Sequence, residues 1–205
     1  QEPLINLLEA QAALIEGKHD EARQKFELMA NDPETRELGL RGLYLEAKRL
    51  GAHEAARQYA EKAADQAPYL PWAAQATLEY RSQAGRWDDA IKLLDQQKIA
   101  HVVDKTTANR QRAVLLTARA NDRLESDPAG ARDDALAAVK LVDDFVPAAL
   151  IAAKALFRED KVRKAASMLE QVWKAHPHPE IGRAYVRARS GDSVIDRLKR
   201  AERLE

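Results

Sequence analysis

Imidazole and carboxylate side chains carry the widest chemical repertoire in this chain, and the stretch GKHDEARQKFE, Gly17 to Glu27, sets His19 directly beside Asp20 and Glu21. A histidine flanked by acids is material for a metal site or for a general acid/base pair, because imidazole titrates near neutrality and a carboxylate can ligate or orient beside it. His176-Pro177-His178-Pro179 offers two more imidazoles that could reach a metal or a haem iron, but this rigid segment has no third ligand nearby. A polar loop between helices is the plainer reading, and His101 stands alone in a linker. The acid pairs Asp133-Asp134 and Asp143-Asp144 read as solvated helix ends. No cysteine is present, which removes disulfides, thiolate nucleophiles and cysteine-ligated metals. No GxGxxG, GxxxxGKS/T, HExxH or GxSxG occurs, so the chain is not expected to be an enzyme, and neither catalytic residues, a bound metal nor a cofactor is expected.

Laying the chain on itself shows what the first stretch is for. GKHDEARQKFE at Gly17 is followed by GAHEAARQYAE at Gly51 and GRWDDAIKLLD at Gly85, an interval of 34 residues each time. Helix–turn–helix units of this period, with glycine between the helices and small residues at fixed points, are the tetratricopeptide pattern. His19, His53 and Trp87 are then equivalent. Tryptophan can replace histidine as a ring packing at a turn, but not as a metal ligand or base. Asp20/Glu21, Glu54 and Asp88/Asp89 fall in the first turn of each second helix, where negative charge suits the helix dipole. Ala22, Ala56 and Ala90 mark the closest approach of paired helices, and Phe26, Ala60 and Leu94 lie one turn later on the same face.

The elements that position these residues read as all-helical. Gly and Pro number eight each and aromatic residues make up 5% of the chain, while Ala, Leu, Arg, Glu and Lys dominate. Asp32-Pro33, Leu70-Pro71, Asp127-Pro128 and His178-Pro179 each place proline at an expected helix start, twice after a capping aspartate. Regular repeats cover 1–98, and an irregular linker and long helix (about Thr107 to Glu125) cover 99–127. Further pairs follow through 128–205: a second helix from about Ala129 to Leu141 containing Ala135, a pair at 147–158 and 161–175, and a shortened one at 179–190 and 192–204. The expected fold is a single right-handed tetratricopeptide solenoid of about six antiparallel helix pairs, each burying its apolar face against its neighbours.

Formal charge is zero, which excludes an overall basic field for nucleic acid or anionic membrane. Residues 1–40 carry four Lys/Arg against nine Asp/Glu, whereas 181–205 carry seven against four. No apolar run approaches the length of a membrane span, so any membrane attachment would come through segments absent from this chain. A start at Gln1 and a stop at Glu205 within a helical pattern suggest an excised piece. The first helix is apolar on more than one face, through Leu4, Leu7, Leu8, Leu14 and Ile15.

Function in such a fold is expected on the inner face formed by first helices, where a protein or peptide partner lies. Aligned glycines put Arg41, Leu45, Lys48, Trp72, Gln75 and Glu79 there, and Arg112, Arg119, Lys154 and Arg158 continue the wall. A Lys/Asn clamp for a C-terminal carboxylate is not expected, since the comparable positions are Leu7, Gln11, Arg41 and Leu45.

The run AGRWDDAIKLLDQQKIAHVVDKTTANRQRAVLLTARA (residues 84–120), with LLEAQAALIEGKHDEARQKFELMANDPETRELGLRGLYLEAKRLG (7–51) before it, resembles the HemY family of bacterial tetratricopeptide membrane proteins. The Gly85-Arg86-Trp87 repeat followed by a linker and an over-long helix is its most particular feature. With the repeats and the missing enzyme motifs pointing to a non-catalytic scaffold, the resemblance implies an inner-membrane protein whose soluble region lies on the cytoplasmic face and is associated with late haem biosynthesis, the pathway's enzymes being the expected partners. It supplies no catalytic or binding residues. Direct haem or porphyrin binding, with His101, His176 or His178 as ligands, is the alternative, and a general assembly or envelope role is the third.

Overall fold

The computed structural model describes residues 3–99, 103–188, 191 and 193–204. Among them are twelve α-helices and no strand. The chain divides into two compact units, Gln1–Val103 and Asp104–Glu205. The division falls inside the segment read as an irregular joint.

The first unit contains α1 (Pro3–Ile15), α2 (His19–Asn31), α3 (Arg36–Arg49), α4 (His53–Gln66), α5 (Pro71–Gln83) and α6 (Trp87–Ile99). Each packs against the next along the chain. The reversals within the pairs share one geometry. Gly17, Gly51 and Gly85 have φ of 74°, 69° and 68°, the left-handed region that a residue with a Cβ enters at a cost. Their N–H groups donate to Leu14, Lys48 and Ser82 at 3.1 Å, and the next N–H of each turn reaches back to Ala13, Ala47 and Arg81. These paired bonds form a Schellman motif, which satisfies the carbonyls a helix end leaves open. The second helix then starts with Ala22, Ala56 and Ala90 donating to Lys18, Ala52 and Arg86, and all three alanines are fully buried. Phe26, Ala60 and Leu94 are buried one turn further, as read.

Successive pairs also approach closely. A Cβ built on Gly39 would meet the backbone N of Ala30 at 2.3 Å, and one on Gly42 would meet the Phe26 ring at 2.3 Å. Helix α3 therefore lies against the backbone of α2, and Phe26 fills the space its glycines leave.

The second unit contains α7 (Lys105–Arg123), α8 (Pro128–Leu141), α9 (Val146–Arg158), α10 (Val162–Ala175), α11 (Pro179–Val186) and α12 (Val194–Ala201), with a 3₁₀ turn at Glu202–Leu204. Neighbouring helices again pack in order, with α9 also touching α7 and α11. Its core is built on Ala131, Ala135, Ala149, Ala152, Leu156, Ala165, Leu169 and Tyr185. The turn from α9 to α10 repeats the motif without glycine: Asp160 takes φ 56°, its N–H donates to Phe157, Lys161 donates to Leu156 at 2.8 Å, and Ala165 donates to Lys161.

Pro71, Pro128 and Pro179 open their helices as expected. Pro33 does not. The Asp32 carboxylate accepts the Glu34 N–H at 2.9 Å, an Asx turn, and the helix begins only after Thr35, whose hydroxyl donates to the Met29 carbonyl at 3.0 Å. No helix of the described residues is long and apolar enough to cross a membrane.

Two substitutions separate the cost of backbone conformation from that of close packing. Gly17→Ala, with open space at its Cβ, should lose about 1 kcal/mol. Gly39→Ala should lose roughly 1–3 kcal/mol, because a backbone atom stands in the way. Asp160→Gly, which relieves a strained φ, should be neutral or stabilising by about 0.5 kcal/mol. Urea denaturation of the three variants gives the order.

Candidate functional site

In the first unit the first helices of the second and third pairs carry a mixed aromatic and cationic face. Tyr44 on α3 and Trp72 on α5 are half-buried with ring centroids 5.2 Å apart at 37°. The Lys48 Nζ lies 5.5 Å from the Tyr44 centroid, a cation–π distance that holds the ammonium at the rim of the aromatic pair. Tyr80, one turn beyond Thr77 on α5, adds a third ring. Burial pushes its hydroxyl above the usual tyrosine range, Tyr44 and Glu79 add to this, and Lys48 opposes it. These directions place Tyr44, Lys48, Glu79 and Tyr80 within electrostatic reach of one another. Arg41 and Leu45 are exposed on the same side of α3, with Leu45 54% accessible. Gln75 donates to Glu79 at 3.2 Å across one turn of α5. Tyr69, from the turn before α5, donates to Glu37 at 2.6 Å and ties that turn to the start of α3.

Tyr44 and Tyr80 were not among the residues expected from the sequence. The signal for Tyr44 was present: it lies three residues after Arg41 and four before Lys48, one helical turn from each.

The four positions expected in the second unit divide differently. Lys154 is exposed. Arg112 is half-buried and engaged within the chain. Arg119 donates from Nε and Nη2 to the two carboxylate oxygens of Asp134, each at 2.8 Å. Arg158 donates to the Leu124 carbonyl at 2.9 Å and to the Glu125 carboxylate. Both guanidiniums thus serve contacts inside the unit, joining α7 to α8 and α9 to the end of α7. Asp134 corrects the reading of its acid pair as a solvated helix end. It stands in the middle of α8, only 6% accessible, and receives Arg123 as well as Arg119. Its neighbour Asp133 is exposed.

His19 is half-buried, and its Nδ1 lies 3.3 Å from the Glu46 carboxylate without a hydrogen bond in line. Glu46 is buried and accepts Arg49 at 3.0 Å. The equivalent His53 is exposed, while Trp87 and Val162 are half-buried, so the contact with Glu46 is local rather than part of the repeat. The His176 and His178 rings stack with centroids 6.5 Å apart, and His178 Nδ1 accepts the Glu180 N–H at 3.3 Å as the cap of α11. His101 lies outside the described residues. Among the described residues no three His, Cys, Asp or Glu side chains converge as a metal site.

Compared with known proteins, the chain matches no family model and no curated protein.

The buried carboxylate can be tested by removing it. Asp134→Ala leaves two guanidiniums without their shared partner and should cost about 3 kcal/mol of stability in thermal or urea unfolding. The double variant Asp134→Ala/Arg119→Met should recover part of that loss, since one orphaned charge goes with it.

Proposed function

We propose that this chain is a non-catalytic interaction scaffold, a right-handed solenoid of the tetratricopeptide type whose first helices hold a protein or peptide partner. The observation that carries the reading is the face formed by Tyr44, Lys48 and Trp72 with Arg41 and Leu45 exposed beside it. Aromatic rings and arginine are the types that concentrate binding energy when a partner desolvates them. An apolar side chain of the partner packs against Leu45 and Trp72, and a partner carboxylate faces Arg41 and Lys48. The 34-residue interval, the shared Schellman turns and the buried alanines support the fold assignment.

The resemblance to the HemY family extends the proposal to a biological setting. There the chain is the soluble region of a protein tethered to the bacterial inner membrane, on its cytoplasmic face, and its partners are enzymes of late haem or porphyrin biosynthesis. A scaffold suits this chemistry because a reactive, poorly soluble tetrapyrrole passes between neighbours instead of diffusing. Direct porphyrin binding is the competing reading, and the stacked His176 and His178 rings are the feature it draws on.

Affinity capture after crosslinking in cells tests the scaffold, using the membrane-anchored protein beside an Arg41→Glu/Lys48→Glu variant. The expected outcome is recovery of haem-pathway enzymes that falls at least tenfold in the variant, while its circular dichroism melt stays within a few degrees of the parent. Equal recovery from both forms would overturn the assignment of this face. A porphyrin absorption band that shifts on titration, and fails to shift with His176→Ala/His178→Ala, would favour direct binding instead.

A further inference from the structure

The turn from α9 to α10 opens on a cavity of about 1020 Å³ in the second unit, bounded also by the end of α11 and by α12. Its wall carries the cations Lys161, Arg163, Lys164, Arg187 and Arg200 against a single carboxylate, Asp160. Two of the five are partly engaged. Lys161 meets Glu159 at 3.1 Å, and Arg200 donates to the Val186 carbonyl at 3.4 Å. Arg163, Lys164 and Arg187 are exposed and form no ion pair among the described residues. Like charges gathered round one space repel, so the arrangement is relieved by an anion that several of them share.

The backbone contributes the same sign. Lys161 caps α10 without a side-chain hydrogen bond, and the first-turn residues Val162, Arg163 and Lys164 all line the cavity. In the earlier repeats the protein supplies its own negative charge at this point: Asp20 and Glu21 on α2, Glu54 on α4, Asp88 and Asp89 on α6. At α10 the corresponding side chains are Arg163 and Lys164, which oppose the helix dipole instead of complementing it. The cations around the cavity therefore come from α10, α11 and α12 together, and no carboxylate of α10's first turn offsets them.

We propose that this cavity binds a multiply charged, phosphate-bearing anion. Guanidinium forks match the oxygens of phosphate, lysines add point charge, and the volume is that of a small-molecule site. A soluble oligophosphate and the phosphate headgroup of an anionic lipid share this chemistry. The site lies in the other unit from the partner-binding face and does not depend on it.

The test uses the intact 205-residue chain at low ionic strength. Tripolyphosphate is titrated by calorimetry and thermal shift, with sulfate at matched ionic strength as control, and flotation is run with phosphatidylglycerol and phosphatidylcholine vesicles. The variants are Arg163→Asp/Lys164→Glu, which restores the acidic first turn of the other repeats, and Arg187→Ala. Tripolyphosphate binding beyond the sulfate control, weakened at least tenfold in both variants, is the expected result for a soluble ligand. Flotation with phosphatidylglycerol alone, lost in the same variants, assigns the headgroup. The unliganded Arg163→Asp/Lys164→Glu variant should melt no lower than the parent, so lost binding is not lost folding. No binding above sulfate together with no selective flotation, or undiminished binding in the variants, would overturn the proposal.

Discussion

In four of the helix pairs of this protein the helices meet at a fully buried alanine just after a left-handed turn, and much of the structure follows from holding that contact. Ala22, Ala56, Ala90 and Ala165 are each fully buried, and each lies five residues after a residue with left-handed backbone. The alanine N–H is also the donor to the residue just after that turn, closing the first bond of the second helix. Turn and contact are therefore one device: the Schellman bonds set the angle of reversal, and the alanine accepts the close approach the angle produces. A larger side chain would separate the helices and release the turn at the same time. Because alanine loses no rotamer freedom on burial, such a core is cheap in entropy, and its stability is spread over many small contacts instead of a few large ones.

This device explains what could be read from the sequence. Three glycines at equal intervals, each followed by an alanine five residues later, are visible without coordinates, and they locate the first six helices to within a few residues. The same device recurs between α9 and α10, a pair expected at 147–158 and 161–175, although Asp160 there adopts the left-handed conformation that glycine adopts elsewhere. Aspartate is among the few residues with a Cβ that enter this region readily, so the geometry persists while its sequence mark disappears. The expectation for Pro33 is the one that fails. Asp32-Pro33 carries the residues of a helix cap, but an aspartate side chain can serve an N–H two residues on as well as one three residues on, and here it takes Glu34.

Charged residues were the least legible, and Asp134 shows why. From the chain alone it is one of two adjacent acids on a helix, and periodicity assigns it no special face. Its burial depends on Arg119 and Arg123, which stand on the preceding helix across a turn that lacks the 34-residue register. Burying a carboxylate is unfavourable unless donors meet most of its oxygen lone pairs, and the two guanidiniums do so here. The arrangement joins α7 to α8 where no glycine turn sets their angle, so a specific polar contact takes over the role that backbone geometry has in the first unit.

The same reasoning bears on where a partner can bind. Arg41, Arg119 and Arg158 are the same residue type on first helices, and sequence alone ranks them alike. They differ in whether another helix brings a carboxylate or carbonyl within reach. Asp134 and the Leu124 carbonyl occupy Arg119 and Arg158, whereas Arg41 is exposed with no such group against it among the described residues. Arg119, partly desolvated by its own fold, has little left to gain from a new carboxylate, and taking it away would expose the buried acid it holds, whereas Arg158 is exposed and its contacts to Leu124 and Glu125 only compete with a new partner. Arg41 and Lys48 are exposed and keep their hydration. Tyr44 and Trp72 beside them supply apolar surface, and any ion pair formed where that surface excludes water is strengthened. A surface cation therefore becomes available for recognition only where neighbouring helices leave it unanswered, and that property belongs to the packing of the helices, not to the residue's type or its place in the repeat.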